Sequence, residues 1–331
     1  MLIEAFSQGK DPAAPEANED QFVLLPGRAF AVIDGVTDRL GSRYDGMLAG
    51  RYAAVTVKAA LERALSAQDA PLNDAPALVS HLTQELAQAY GRHGILEKAR
   101  ANAEQRFSAT LALVTFEAAD MHVTLVGDSG VRVNGSEVLQ VDKDLDRITA
   151  TLRRQAWPSI AAATADPLLR ERLSRLVSFH GLAKPAEGLA PYLTPADIAL
   201  IEAKAVAANV ALLPHVPRRD IENLVRGGIV NAQGGYQNDA SSVLGYSCLD
   251  GFEVPFGLVL ARTFSQADVR TLELFSDGYF KHGDGFGVAA WERAFAEAER
   301  DDPEKIGRHM SVKGSTSLAF ADDRTYVGVR F

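Results

Sequence analysis

Four stretches of this chain run from apolar residues into aspartate. They are Ala31-Val32-Ile33-Asp34-Gly35, Leu125-Val126-Gly127-Asp128-Ser129, Leu274-Phe275-Ser276-Asp277-Gly278 and Leu318-Ala319-Phe320-Ala321-Asp322-Asp323. A fifth acidic pair, Glu19-Asp20, stands just before another apolar run. Each is read as a strand with a carboxylate at its end, a rigid placement at the rim of the core. Carboxylates gathered at one rim repel one another unless cations neutralise them. An all-oxygen donor set, without His or Cys, suits a hard cation, Mg²⁺ or Mn²⁺. Glycine after Asp34 and after Asp277 lets the backbone approach an ion or turn tightly. Taken singly, Asp-Gly and Asp-Ser are ordinary turn dipeptides. The metal reading rests on the set.

The elements that must position these acids follow from periodicity and turn residues. Residues 2–7, 22–25 and 29–33 read as strands, the last two joined by the turn dipeptide Pro26-Gly27. Two helical patterns follow, with Leu48, Tyr52, Val55 and Ala59 on one face and Leu78, Leu82, Leu86 and Ala89 on another, stopped near Gly91 and Gly94. Residues 107–116 form a β-favouring run and 121–126 alternate, with short strands expected at 131–133 and 138–141. Residues 144–227 are rich in Ala, Leu and Arg, are broken by prolines and read as helical. Thr194-Pro195-Ala196-Asp197 opens one helix with an N-cap and a first-position proline. Strands are expected again at 241–247, 259–262, 272–275, 315–320 and 325–331, with a helix over 288–300. Blocks of strands and blocks of helices indicate an α+β fold. The expectation is two stacked antiparallel sheets flanked by helices, an α-β-β-α sandwich. It forms one domain over 1–331, with 144–227 a flap-like helical insert at the acidic rim.

Composition excludes several classes. The 331 residues are 47% apolar and carry a net charge of −9, without the basic stripe of a nucleic-acid binder. No apolar run approaches a bilayer's thickness, so no membrane is expected. The first ten residues lack the character of a signal peptide. Cys248 is the single cysteine, which rules out an intramolecular disulfide and a thiolate zinc site. A cytoplasmic protein is the expectation. The seven histidines lack helical zinc spacing. His282 is the one near an acidic motif, and Cys248 is read as an ordinary strand residue. Gly127-Asp128-Ser129-Gly130 has the spelling of a trypsin-like nucleophile loop. No His base or disulfide framework accompanies it, so Ser129 is read as a turn residue.

The order and spelling of the acidic motifs resemble the type 2C, metal-dependent serine/threonine protein phosphatases. That family's Asn-Glu/Gln-Asp turn is matched by Asn18-Glu19-Asp20, its Asp-Gly strand end by Asp34-Gly35, and its Ser/Gly-x-Thr strand by Ser108-Ala109-Thr110. Gly127-Asp128-Ser129, Ser276-Asp277-Gly278 and Asp322-Asp323-Arg324-Thr325 complete the series over nearly the whole chain. The resemblance implies a binuclear Mn²⁺ or Mg²⁺ site. Asp34 would bridge the ions, the Gly35 carbonyl would serve one, and Asp277 and Asp322 would hold the other. Glu19 and Asp20 would act through waters, and Asp128 would help with a third, looser ion. Catalysis would run through Asp34, Asp277 and Asp322 by a hydroxide between the metals attacking phosphorus in line. The substrate would be a phosphorylated protein, and the setting signalling.

The chain departs from that pattern where phosphate is gripped. The family's upstream arginine falls at Pro15, its histidine after the bridging aspartate is Val36, and its glycine pair is Thr37-Asp38. Lys10, Arg28 and Arg43 are the candidates to replace the arginine, with Arg153, Arg154, Arg218 and Arg219 of the insert behind them. A competing expectation is a regulatory module of phosphatase type that binds metal or a phosphoprotein without turnover.

Overall fold

The computed structural model of the chain describes residues 1–37, 40–66 and 73–331. Strands β1 (Leu2–Gln8), β2 (Gln21–Leu25) and β3 (Ala29–Gly35) lead into a short hairpin, β4 (Arg43–Tyr44) and β5 (Met47–Leu48). Helices α1 (Ala49–Ser66), α2 (Ala75–Arg92) and α3 (Leu96–Ala101) follow. Next come β6 (Ala109–Glu117), β7 (Asp120–Val126), β8 (Gly130–Val133) and β9 (Glu137–Leu139). Four helices then run in succession, α4 (Asp144–Ala163), α5 (Pro167–His180), α6 (Pro195–Leu212) and α7 (Arg218–Ala232). The chain returns through β10 (Leu260–Ser265), β11 (Thr271–Phe275), α8 (Val288–Asp301) and β12 (Arg324–Arg330).

The strands form two five-stranded antiparallel sheets, ordered β1-β12-β11-β8-β9 and β10-β7-β6-β3-β2. Period-two alternation decides what each face meets. In β3, Phe30 and Val32 join Val114, Val123, Leu274 and Val327 in the core between the sheets. Ala29, Ala31 and Ile33 of the same strand pack against Ala53, Val57 and Leu61 of α1, with α2 behind. On the other side, α8 lays Trp291 and Phe295 on Phe275 and Tyr326. The layers are therefore helix, sheet, sheet, helix, as expected. The four middle helices enclose a core of their own that includes Ile148, Leu173, Val206 and Leu224 and takes in Tyr246 and Cys248. Among the described residues no helix is long and apolar enough to cross a membrane.

Several local expectations fail for identifiable reasons. Residues 241–247 make turns rather than a strand, because Asp239 Oδ1 accepts from Ser241 N and Oγ at 2.9 and 2.6 Å. Short polar side chains here bond their own backbone in place of a ladder. Cys248 accordingly lies off any strand, though buried. Residues 315–320 are also a loop. Thr316 Oγ1 accepts from Leu318 N and Ala319 N at 3.2 and 3.1 Å, and Leu318 is 68% exposed, so the stretch has no face to bury. Gly91 sits inside α2, and the turn out of the helix is made at Gly94, whose φ is +66°.

Candidate functional site

Asp34 is the sixth residue of β3, Asp277 lies two residues beyond β11, and Asp128 sits on the turn after β7. That turn depends on Gly127, at φ +85°, where a Cβ would stand 2.5 Å from Thr110 Cγ2. The two sheets thus deliver these three acids to one end of the sandwich. One ligand oxygen from each lies within 4.8 Å of the others. Gly35 lines the same cavity and packs against the Gly50 carbonyl too closely for any side chain.

The remaining acids surround this triad. Glu19 and Asp20, just before β2, are buried. Asp20 Oδ2 accepts from Ser276 Oγ at 2.7 Å, and Ser276 Oγ accepts from Thr325 N at 2.8 Å. Lys10 Nζ donates to Glu19 Oε2 at 2.7 Å and to Asp323 Oδ2 at 3.1 Å. Glu19 Oε1 and Asp20 Oδ1 are buried with no partner among the described residues. Asp322 lies on a loop, correcting the expected strand end, and its carboxylate meets Lys313 Nζ at 2.9 Å. Lys143 Nζ meets Asp128 Oδ2 at 2.6 Å.

These contacts set the electrostatics. Burial, reinforced by Asp20, Asp322 and Asp128, drives the Asp34 carboxyl well above the ordinary carboxylate range. Burial with Asp34 and Asp128 does the same to Asp277. Burial and the nearby Asp323 push Asp20 up to about 8. Asp322 moves the other way: burial opposes its ionisation, but the Lys313 and Lys10 ammoniums outweigh that and hold it low. Acids that resist ionising together, converged oxygens and two orphaned buried oxygen atoms fit a site for hard divalent cations. Asp34, Gly35, Asp277 and Asp322 would hold the ions, with Asp128, Glu19 and Asp20 around them.

The phosphate-binding candidates separate. Lys10 reaches the acidic cluster, where it is tied to Glu19 and Asp323. Arg28 does not reach it: it is exposed at the opposite end of β3, roughly 20 Å of strand away. Arg43 is exposed on the β4–β5 hairpin and donates to the Gly46 carbonyl. Arg153 is fully buried, donating to the carbonyls of Glu304 and Lys305 at 2.7 and 3.1 Å and pairing with Glu171. It fastens the inserted helices to the loop that carries Lys313. Arg154 is exposed beside Met310, and Arg218 and Arg219 pair with Glu222 and Asp220 in solvent. Asp38 lies outside the described residues.

A cavity of about 500 Å³ opens over the triad. Its acidic floor faces a wall from the inserted helices, with Ala150, Phe179, Leu212 and Ile229, so those helices do sit at the acidic rim. Lys143, Arg147, Arg308 and Lys313 are its cations. Arg147 is bound to Asp142 at 2.7 Å, whereas Arg308 has no ion-pair partner among the described residues. The two lysines and Arg308 escaped sequence reasoning, since neither Asp142-Lys143-Asp144 nor Val312-Lys313-Gly314 signals a long-range pairing. His282 packs on Phe275 and Trp291, ring centroids 4.8 and 5.6 Å away, and is not on the cavity wall. Ser129 is buried, its Oγ 2.8 Å from Thr110 Oγ1.

No protein-family model and no curated protein matches the chain. Among the solved structures that align with it at low similarity are three phosphatases. The serine/threonine phosphatase PstP/Ppp of Mycobacterium tuberculosis is 17% identical over 99% of this chain and 98% of that one, with a TM-score of 0.43. The serine/threonine phosphatase Stp1 of Staphylococcus aureus is 14% identical over 100% and 96%, with a TM-score of 0.42. The catalytic domain of PstP in complex with two manganese ions is 18% identical over 99% and 96%, with a TM-score of 0.41. The chemistry assigned to this chain rests on its own side chains.

Proposed function

We propose that this chain is a metal-dependent phosphatase that hydrolyses phosphoserine and phosphothreonine monoesters in proteins, with Mn²⁺ or Mg²⁺ as cofactor. The observation that carries the reading is the convergence of Asp34, Asp128 and Asp277 within 4.8 Å on the floor of an open cavity. Bound divalent ions supply a water nucleophile at neutral pH and stabilise charge on the phosphoryl oxygens. Asp34, Gly35, Asp277 and Asp322 are the proposed first ligands, with Asp128, Glu19 and Asp20 around them. The Ser276 hydroxyl and Thr325 amide fix Asp20 so that its free oxygen keeps one orientation.

Cations at the cavity wall hold the substrate. Arg308, which has no ion-pair partner among the described residues, is the proposed grip on the phosphoryl group, with Lys313 on the same cavity wall. Arg308→Ala is expected to raise KM more than it lowers kcat in steady-state kinetics on p-nitrophenyl phosphate. That is the signature of binding shared by ground and transition states. Unchanged KM would remove Arg308 from the site. Residues 144–227 act as a substrate-selecting insert within one domain, which the apolar wall of Ala150, Phe179 and Leu212 supports. A cytoplasmic signalling role follows from the substrate class.

Phosphate release from a panel of phosphopeptides tests the substrate assignment. Phosphoserine and phosphothreonine peptides are expected to turn over with Mn²⁺ faster than phosphotyrosine peptides of the same sequence. Equal rates on all three would leave a general phosphomonoesterase instead. One observation favours a second reading, a regulatory module without turnover: Lys10, Lys143 and Lys313 already pair with acids of the cluster. Binding of the phosphopeptides without phosphate release would select it.

A further inference from the structure

The cluster contains its own cations, and one of them is caged against the acidic triad. Lys143 stands at the N-cap of α4, with Nζ 2.6 Å from Asp128 Oδ2 and 3.4 Å from Asp146 Oδ2. The Tyr246 ring centroid lies 5.5 Å from the same atom, and the side chain is 13% exposed. Gln140 Nε2 donates to the Asp128 carbonyl at 2.8 Å, so Asp128 is held from its main chain as well as its carboxylate. Resting on the reading of this cluster as a divalent-ion site, we propose that Lys143 is a built-in cation that closes the Asp128 side of the cluster and limits the cavity to two divalent ions.

Geometry and charge both lead there. An ion on the oxygen that Lys143 holds, at the roughly 2.1 Å typical of Mg²⁺, would stand within about 5 Å of the ammonium. That is well inside the screening length of about 8 Å, so the repulsion is felt almost in full. The ammonium also cannot move off easily, because Asp146 and the Tyr246 face hold it from the other sides. Seven carboxylates form the cluster: Glu19, Asp20, Asp34, Asp128, Asp277, Asp322 and Asp323. Three ammoniums, of Lys10, Lys143 and Lys313, pair with them. The excess of four negative charges is what two divalent ions neutralise. Asp146, 37% exposed, also meets Lys143, at 3.4 Å, and stands outside these seven.

Removing the ammonium leaves Asp128 and Asp146 facing each other uncompensated at the cavity wall, and a third divalent ion is the available remedy. Native mass spectrometry of the folded full chain in excess Mn²⁺ counts the ions. Two per chain are expected for the wild type, three for Lys143→Ala and two for Lys143→Arg. Thermal melts followed by circular dichroism establish that each variant is folded. If Lys143→Ala does not fold, Lys143→Met keeps the stem against Tyr246 and carries the same expectation. Three ions in the wild type, or two in the folded charge-deleted variants, would overturn the inference and leave the ion-site reading standing. No bound ion in the wild type would overturn both.

Discussion

Asp34→Asn is expected to lose nearly all phosphatase activity while the chain stays folded. The substitution removes a charge and almost no volume, and Asp34 ends a strand whose ladder to β6 is made by backbone groups. What is lost is one of three oxygens that converge within 4.8 Å. Removing a group that merely orients a metal ligand typically costs about 10- to 100-fold in affinity or activity, so loss of a ligand should cost on the order of 100-fold or more. Calorimetric titration with Mn²⁺ should show the weakened binding in the same preparation. The variant's fold should if anything be firmer without ions, since burial and neighbouring aspartates already oppose ionisation at this position. Full activity in Asp34→Asn would place the chemistry elsewhere.

Glu273→Ala is expected to be the most damaging change away from the cavity. Glu273 lies on β11 with no exposed surface. Its carboxylate accepts from Arg132 Nε and Nη2 at 2.6 and 2.8 Å, from Trp291 Nε1 at 2.8 Å and from Tyr326 Oη at 2.9 Å. This one side chain therefore ties β8, β11, β12 and α8 together. Alanine would strand a buried guanidinium and two further donors. Breaking a buried ion pair from one side costs roughly 3–5 kcal/mol, a large part of the 5–15 kcal/mol that typically holds a domain together. A fall in the urea midpoint checks the prediction. The double variant Arg132→Met, Glu273→Leu should recover much of the loss, because it leaves no charge behind. A midpoint unchanged in Glu273→Ala would mean that solvent reaches Arg132.

The layers were legible where alternation is strict. Phe30 and Val32 against Ala31 and Ile33 state in sequence which face meets the second sheet and which meets α1. The acids at the ends of such strands, Asp34 and Asp277, were legible for the same reason. Asp322 was placed in the right cavity on the wrong element. Residues 318–321 are apolar enough to resemble a strand, yet Thr316 folds them into a turn. The cations were not legible. Lys313 meets Asp322 and Lys143 meets Asp128 because loops return to the rim, and Arg153 is buried because the carbonyls of residues 304 and 305 surround it. Arginine on a helix pattern reads as a solvated face until the partner segment is known. Arg28 erred in the opposite sense: near Asp34 in number, it is a full strand length away in space.

The most direct measurement is the initial rate of p-nitrophenyl phosphate hydrolysis by the full chain with Mn²⁺, repeated in excess EDTA. Turnover that EDTA abolishes and fresh Mn²⁺ restores is the predicted result. A rate unaffected by EDTA, or no turnover by a folded chain saturated with Mn²⁺, would contradict a metal-dependent phosphatase.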